Sequence, residues 1–139
     1  MRIFKREFLH MSRFLMKSHC IFPTESPEQT TMFYKEKMGF EIVSYMDAAE
    51  PHICLYRDHT EIILTRTNGQ TAIPNRHLYG YGYDGYFITE NQDQLQEEFI
   101  QAGVTIIRKL KRTDYNNREF VAEDIDGRWI AFGIKSKSG

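Results

Sequence analysis

Cysteine, tryptophan and proline are scarce in this chain of 139 residues, which has two cysteines, one tryptophan and four prolines. Cys20 and Cys54 form no CxxC pair. They exclude a dense disulfide framework and favour a reducing, cytoplasmic setting. No apolar run approaches the roughly 18 residues that a membrane-spanning helix needs, so we expect no transmembrane segment.

An excess of charge is also missing, because 18 Lys and Arg face 19 Asp and Glu for a net charge of -1. A dedicated nucleic-acid binder needs a basic excess for its phosphate contacts, so nucleic acid is not expected as a partner. A hydrophobic content of 41% predicts a folded globular protein. The length suits one domain, or two small modules that share a core.

A basic extension precedes the rest of the chain at residues 1–17. Its five Lys and Arg face a single acid, Glu7, and apolar residues recur at helical spacing from Phe4 to Leu15. This pattern is typical of an amphipathic helix on an anionic membrane surface. The interpretation we prefer is a docking helix or frayed extension that carries no chemistry.

The remaining chain predicts the same order of elements twice. In the first half, a strand is followed by a helix that begins at Ser26 and ends at Gly39. In the second half, a strand is followed by a helix that begins at Asn91 and ends at Gly103. Three candidate strands follow each helix. The predicted strands cover residues 19–22, 40–45, 53–57, 61–67, 86–89, 104–110, 120–123 and 129–134. The repeat indicates an internal duplication in which two modules complete one core.

Domain boundaries follow from this repeat. We predict a first module at residues 18–68, a connector at 69–84 and a second module at 85–136, with 18–136 forming one domain. The connector contains alternating tyrosine and glycine from Tyr79 to Tyr83. It is either an adaptable aromatic wall beside a ligand or an extended linker with turn glycines. It lacks the lysine and the strand-to-helix context of a phosphate-binding loop.

Several motifs accompany the repeat, namely Phe33-Tyr34, Met38-Gly39-Phe40 and the run Glu123 to Gly127. With them the chain resembles the vicinal oxygen chelate superfamily, which includes glyoxalase I, extradiol dioxygenases, and bleomycin and fosfomycin resistance proteins. The resemblance covers about residues 19–135. It implies an α+β fold in which two βαβββ modules form a half-open mixed β-barrel around a ligand cavity, with helices packed outside. It also implies a homodimer with cavities at or near the interface.

The resemblance raises the question of a metal, because metal-dependent members hold a divalent cation from the first and last strands of each module. It places His19 and Asp84 at the first-strand positions, and Ile63 and Ala131 at the last-strand positions. Two apolar residues among four positions predict that the metal site is lost and that no cofactor is required. Glu61 shares a strand face with Ile63. His19, Glu61 and Asp84 therefore stay candidates for a rearranged metal site or for metal-free acid–base catalysis.

Strand alternation from those positions predicts the lining of the cavity. The candidate ligand-binding residues are His19, Ile63, Thr65, Tyr86, Trp129 and Ala131. A planar or cationic ligand would stack on Trp129 and Tyr86. Alternatively, these two aromatic side chains fill the barrel as core residues.

The function that we expect is binding of a small organic molecule, in the manner of the glyoxalase/bleomycin-resistance group and without an obligatory metal. One alternative is a metal-dependent lyase or transferase of the glyoxalase I or fosfomycin-resistance kind. Another is a non-catalytic interaction module that has kept the barrel but lost its pocket. The sequence leaves open whether any reaction is catalysed.

Overall fold

The computed structural model describes residues 13–135. The predicted basic extension lies largely outside these residues, and its last part, from Arg13 onward, has no helix or strand before Cys20. Within the described residues, no helix is long and apolar enough to span a membrane.

Two four-stranded sheets and three helices make up the fold. The first sheet has the strand order β1-β4-β3-β2, and the second has the order β5-β8-β7-β6. The elements are β1 (Cys20–Thr24), α1 (Pro27–Met38), β2 (Glu41–Tyr45), β3 (His52–Arg57), β4 (Thr60–Arg66), α2 (Asn75–Tyr79), β5 (Gly85–Ile88), α3 (Gln92–Ala102), β6 (Thr105–Arg112), β7 (Asn117–Glu123) and β8 (Trp129–Lys135). In each sheet the first strand runs parallel to the last, and the other pairs are antiparallel. Two open mixed sheets with outer helices confirm the predicted α+β fold class.

Glycines end both long helices as the sequence predicts. Gly39 has φ 76° and Gly103 has φ 88°, in the left-handed region that favours glycine. The amide of Gly39 donates to the Tyr34 carbonyl, which satisfies one of the carbonyls left free at a helix end. The chain then turns back into a strand in each module.

Threonines, and not the predicted cap side chains, organise the helix starts. Ser26 and Asn91 occupy the cap positions, but neither side chain makes a capping hydrogen bond. The Thr24 hydroxyl accepts the Ser26 amide at 3.3 Å, and the Thr89 hydroxyl accepts the Asn91 amide at 3.0 Å. The two halves therefore repeat each other in local geometry as well as in element order.

One hydrophobic core joins the two modules. Alternate residues of the strands face the helices, as the period of two predicts. The buried cluster contains Phe22, Tyr34, Met38, Phe40, Ile53, Leu55, Ile62, Leu64, Phe99, Val104, Phe120, Ala122, Ile130 and Phe132. Both modules therefore contribute to one buried cluster, and the strand residues that alternate with it lie on the concave side of each sheet.

The β7–β8 turn fastens the second module to the first. Asp124, Asp126 and Arg128 form this turn latch. Tyr34 donates to Asp124 Oδ2 at 2.6 Å, and Thr30 donates to Asp126 Oδ2 at 2.7 Å. Arg128 pairs with both acids and also donates to the Pro23 carbonyl. The latch therefore ties the end of β7 to β1 and α1.

Candidate functional site

The concave face of the second sheet can be identified from its strand register. Cross-strand partners share a face, and Glu119 pairs with Gly133 while Glu123 pairs with Trp129. Tyr86 pairs with Ala131 on the same face. The residues that alternate with these on β7 and β8 lie in the hydrophobic core, namely Phe120, Ala122, Ile130 and Phe132. The concave side thus carries two glutamates next to aromatic side chains.

Glu119 is the most unusual of these residues, because it is a carboxylate with only 1% of its surface exposed. Its oxygens accept hydrogen bonds from Tyr83 at 2.8 Å, Tyr86 at 2.9 Å and Tyr115 at 2.7 Å. We call these four residues the tyrosine–Glu119 cluster. Three donors offset the cost of burying the acid and hold three rings in fixed positions.

Neighbouring residues make room for this cluster and extend it. A Cβ atom on Gly133 would lie 2.8 Å from Glu119 Cα and closer still to the Arg118 carbonyl oxygen. Any larger residue at this position would therefore displace β7 from β8. The Asn117 side-chain amide donates to the Tyr86 hydroxyl at 2.9 Å. Arg108 donates to the Tyr83 hydroxyl at 2.8 Å. The cluster is therefore built from the connector, β5, the β6–β7 turn and β7, and Arg108 extends it to β6.

Two hydroxyl groups of the cluster, those of Tyr86 and Tyr115, keep their protons at neutral pH. Burial, with the neighbouring Glu119, raises the pKa of Tyr86 to about 12. Burial, with neighbouring Tyr83 and Glu119, also raises the pKa of Tyr115 well above its ordinary value. Because both tyrosines remain protonated, they act as donors to Glu119 and not as bases. The arrangement is suited to holding and orienting a ligand.

A pocket of about 500 Å³ opens between this cluster and the connector. We call it the connector pocket. Its lining residues are Arg76, His77, Gly80, Tyr81, Gly82, Tyr83, Arg108, Tyr115 and Trp129. The short helix α2, which the sequence did not predict, carries Arg76 and His77 to it and ends at Gly80, with φ 89°. The volume and the aromatic lining are typical of small-molecule sites.

Trp129 forms one side of the pocket and is fixed by two partners. Its indole Nε1–H donates to Glu123 Oε2 at 3.1 Å. The guanidinium carbon of Arg76 lies 4.1 Å from the centroid of the tryptophan ring. Arg76 also donates to the Gly127 carbonyl at 2.6 Å, so it is anchored in this position.

The candidate residues in and next to the first sheet lie apart from the connector pocket, and His19 directly precedes β1. His19 is exposed, and its Nδ1 lies 3.6 Å from Glu61 Oε1. Ile63 and Thr65 are half-buried on the strand that carries Glu61. The structure brings His19 and Glu61 together, but none of these four residues lines the pocket that contains Trp129.

Asp84 has a structural position between α2 and β8. Its Oδ1 accepts the Asn75 amide at 2.9 Å, and its Oδ2 accepts the Trp129 amide at 3.1 Å. Ala131 is completely buried on β8. Among residues 13–135, no three His, Cys, Asp or Glu side chains are placed to hold a metal ion together. The donor set therefore does not fit the cation that some members of the resembled superfamily carry.

Sequence reasoning missed Glu119, Tyr115 and Arg108. The predicted strand at residues 120–123 began one residue after Glu119, whereas β7 starts at Asn117. Alternation along the full strand places polar side chains at 117, 119 and 123 on one face, opposite Phe120 and Ala122. That alternation was the available signal for a polar site on this sheet.

A second pocket, of about 320 Å³, lies at the junction of the two modules. Its lining includes Phe40, Phe87, Leu95 and Phe132. At its rim, Arg57 from β3 makes a bidentate pair with Glu98 from α3 at 2.6 and 2.9 Å. We call it the junction pocket, and it is separate from the tyrosine–Glu119 cluster.

Solved structures share this architecture over almost their whole length. UcmS2 is 22% identical with a TM-score of 0.67, and the match covers 87% of this chain and 98% of that one. A superfamily member from Sphaerobacter thermophilus DSM 20745 is 18% identical with a TM-score of 0.66, covering 86% and 97%. TnmS3, an antibiotic binding protein from Streptomyces sp. CB03234, is 19% identical with a TM-score of 0.66, covering 91% and 100%. At these identities the likeness shows the fold.

The family itself is shown by sequence. No curated protein matches the chain. A family model matches residues 18–132, which include both sheets except the last residues of β8. The chain belongs to the Glyoxalase/Bleomycin resistance protein/Dioxygenase superfamily.

Proposed function

We propose that the protein binds a small organic molecule in the connector pocket and needs no metal to do so. The observation that carries this proposal is the pocket itself, which combines aromatic walls with a rigid floor of hydrogen-bonded tyrosines. A preorganised site loses little conformational entropy when a ligand binds. TnmS3, which has the same fold, is described as an antibiotic binding protein, and this supports a binding function.

The groups in the pocket favour binding over catalysis. Both oxygens of Glu119 are occupied by tyrosine hydroxyls, and Glu123 is paired with Arg76 and the Trp129 indole. Both glutamates are therefore engaged within the protein, and neither lines the connector pocket. His19 and Glu61 stay candidates for acid–base chemistry on the first sheet, away from this pocket.

A homodimer is the assembly that we propose for this site. Large apolar side chains are exposed on the concave faces of both sheets, including Ile21 at 58%, Val43 at 41% and Ile88 at 66%. A second copy would cover these side chains. The unpaired thiols of Cys20 and Cys54 are consistent with a reducing, cytoplasmic setting.

Calorimetric titration before and after dialysis against EDTA tests the proposal. The ligands are two- and three-ring aromatic compounds that carry acidic, neutral or basic groups. We expect at least one saturable ligand whose Kd changes less than about twofold when EDTA is present, because the pocket uses no metal. Binding that disappears with EDTA and returns with Zn²⁺ would support the metal-dependent alternative. A complete lack of saturable binding would support the interaction-module alternative.

Two tyrosines of the connector provide a matched control for the location of the site. Tyr81 lines the pocket and is 81% exposed, whereas Tyr79 is 71% exposed and does not line it. The substitution Tyr81→Ala should weaken binding about three- to tenfold through the loss of aromatic contact. Tyr79→Ala should leave the Kd unchanged. Equal effects of the two substitutions would contradict a site in the connector pocket.

A further inference from the structure

The charges that line the connector pocket are all positive. Arg76 and Arg108 both contribute to its wall. No Asp or Glu of residues 13–135 is among its lining side chains. A bound molecule would therefore meet guanidinium groups and aromatic rings, and the carboxylates lie behind them.

Arg76 already occupies the position that a cationic ligand would need. Its guanidinium lies over the Trp129 ring, donates to the Gly127 carbonyl and pairs with Glu123 at 3.4 Å. A cation could stack on this ring face only by displacing Arg76 from all three contacts. These contacts therefore do not favour the predicted stacking of a cationic ligand on Trp129.

Arg108 is the second arginine of the pocket, and its guanidinium has N–H donors that no carboxylate among the described residues occupies. One of its amino groups donates to the Tyr83 hydroxyl, and its guanidinium carbon lies 5.7 Å from the centroid of that ring. Among residues 13–135, no Asp or Glu oxygen lies within 4.0 Å of its guanidinium. A guanidinium has five N–H donors in a planar fork, which suits a carboxylate.

Glu119 offsets part of this charge without competing for the ligand. Its oxygens are taken by Tyr83, Tyr86 and Tyr115, and the side chain is almost completely buried. The negative charge of Glu119 therefore attracts Arg108, which contacts the cluster at the Tyr83 hydroxyl. The rings of the tyrosines lie between Glu119 and the pocket. The donors of Arg108 that do not bind Tyr83 are the ones available to a ligand.

We propose that the connector pocket takes a planar aromatic anion whose carboxylate binds Arg108 and whose rings contact Tyr81, Tyr83 and Tyr115. This inference rests on the proposed function and specifies the charge and shape of its ligand. Arg108 determines the preference for an anion, and the tyrosines determine the preference for a flat ring system.

Three compounds of one shape test the charge of the ligand, namely 2-naphthoate, 2-naphthamide and 2-naphthylmethylamine. Trp129 is the single tryptophan, so its indole N–H gives one cross-peak in a nitrogen–proton spectrum of the full chain. All three titrations are followed by the shift of this peak. We expect the Kd for 2-naphthoate to be about tenfold or more below that for 2-naphthamide. The amine should bind more weakly than the amide.

Substitutions at neighbouring residues of β6 test the role of Arg108. Arg108→Gln should raise the Kd for 2-naphthoate about tenfold and leave that for 2-naphthamide within about twofold. Arg108→Lys, which retains the charge but not the fork, should give a smaller loss. Lys109→Gln removes the same charge from an exposed residue outside the pocket and should change neither Kd. A thermal melt of each variant confirms that it is folded.

The outcomes separate the inference from the proposed function. Tighter binding of the amine or amide than of 2-naphthoate would overturn the anion preference and leave small-molecule binding intact. Equal losses from Arg108→Gln and Lys109→Gln would overturn the role of Arg108. If none of the three compounds shifts the Trp129 peak saturably, both the inference and the connector pocket as a binding site are contradicted.

Discussion

Replacement of Glu119 by alanine is expected to lower the free energy of unfolding by about 3–5 kcal/mol. The substitution removes the acceptor of three tyrosine hydroxyls at once. Burial, the largest cause of the raised pKa values of Tyr86 and Tyr115, persists in the variant, so both hydroxyls stay protonated at neutral pH and lose their acceptor. Urea unfolding followed by circular dichroism measures the change.

A matched control is available on the other sheet. Glu41 is an exposed strand glutamate, and Glu41→Ala should change stability by no more than about 0.5 kcal/mol. Tyr115→Phe removes one of the three donors and should cost about 1 kcal/mol. In the double variant with Glu119→Ala, the tyrosine substitution should cost nearly nothing, because its partner is already absent. A loss below about 1 kcal/mol for Glu119→Ala would contradict the tyrosine–Glu119 cluster.

Asp124→Ala is expected to destabilise the fold by a similar amount, about 3–5 kcal/mol. The side chain of Arg128 is only 5% exposed, and the substitution leaves its charge with fewer partners. It also removes the acceptor of the Tyr34 hydroxyl and of the backbone amides of Asp126 and Arg128. Burial raises the pKa of the Asp124 carboxyl group, and the Arg128 guanidinium opposes that rise. Thermal and urea unfolding measure the loss.

The turn between β6 and β7 offers the control for this prediction. Asp114 lies there as an exposed turn residue, and Asp114→Ala should stay within about 0.5 kcal/mol of the parent protein. Because Asp124 connects the two modules through Tyr34, its loss should also weaken the docking of α1 against the β7–β8 turn. Faster hydrogen exchange in α1 as well as in β8 would show this. A stable Asp124→Ala variant would contradict the turn latch.

Local signals in the sequence account for the part of the fold that was predicted. Pro27 at the first helical position and Gly39 just after the last one indicate where α1 begins and ends. A strand period of two places Ile62 and Leu64 on the buried face of β4 and Glu61, Ile63 and Thr65 on the other face. The resemblance to a known family then supplied the arrangement of the two sheets.

The candidate site depends on contacts between distant residues, which a single sequence does not encode locally. Glu119 becomes a site residue because Tyr83 and Tyr86 reach it from 36 and 33 residues away in the sequence, whereas Tyr115 lies only four residues before it. Asp84 shows the converse, since both of its oxygens accept backbone amides once α2 and β8 come together. The roles of His19, Ile63 and Thr65 as ligand contacts stay predictions.

A crystal structure grown with the most tightly bound compound of the naphthalene series tests the central claim most directly. We predict density for the compound in the connector pocket, in contact with Tyr81 and Tyr115 and beside Trp129, and with Arg108 if the compound is 2-naphthoate. Density in the junction pocket near Phe40 and Leu95, with an empty connector pocket, would contradict the account.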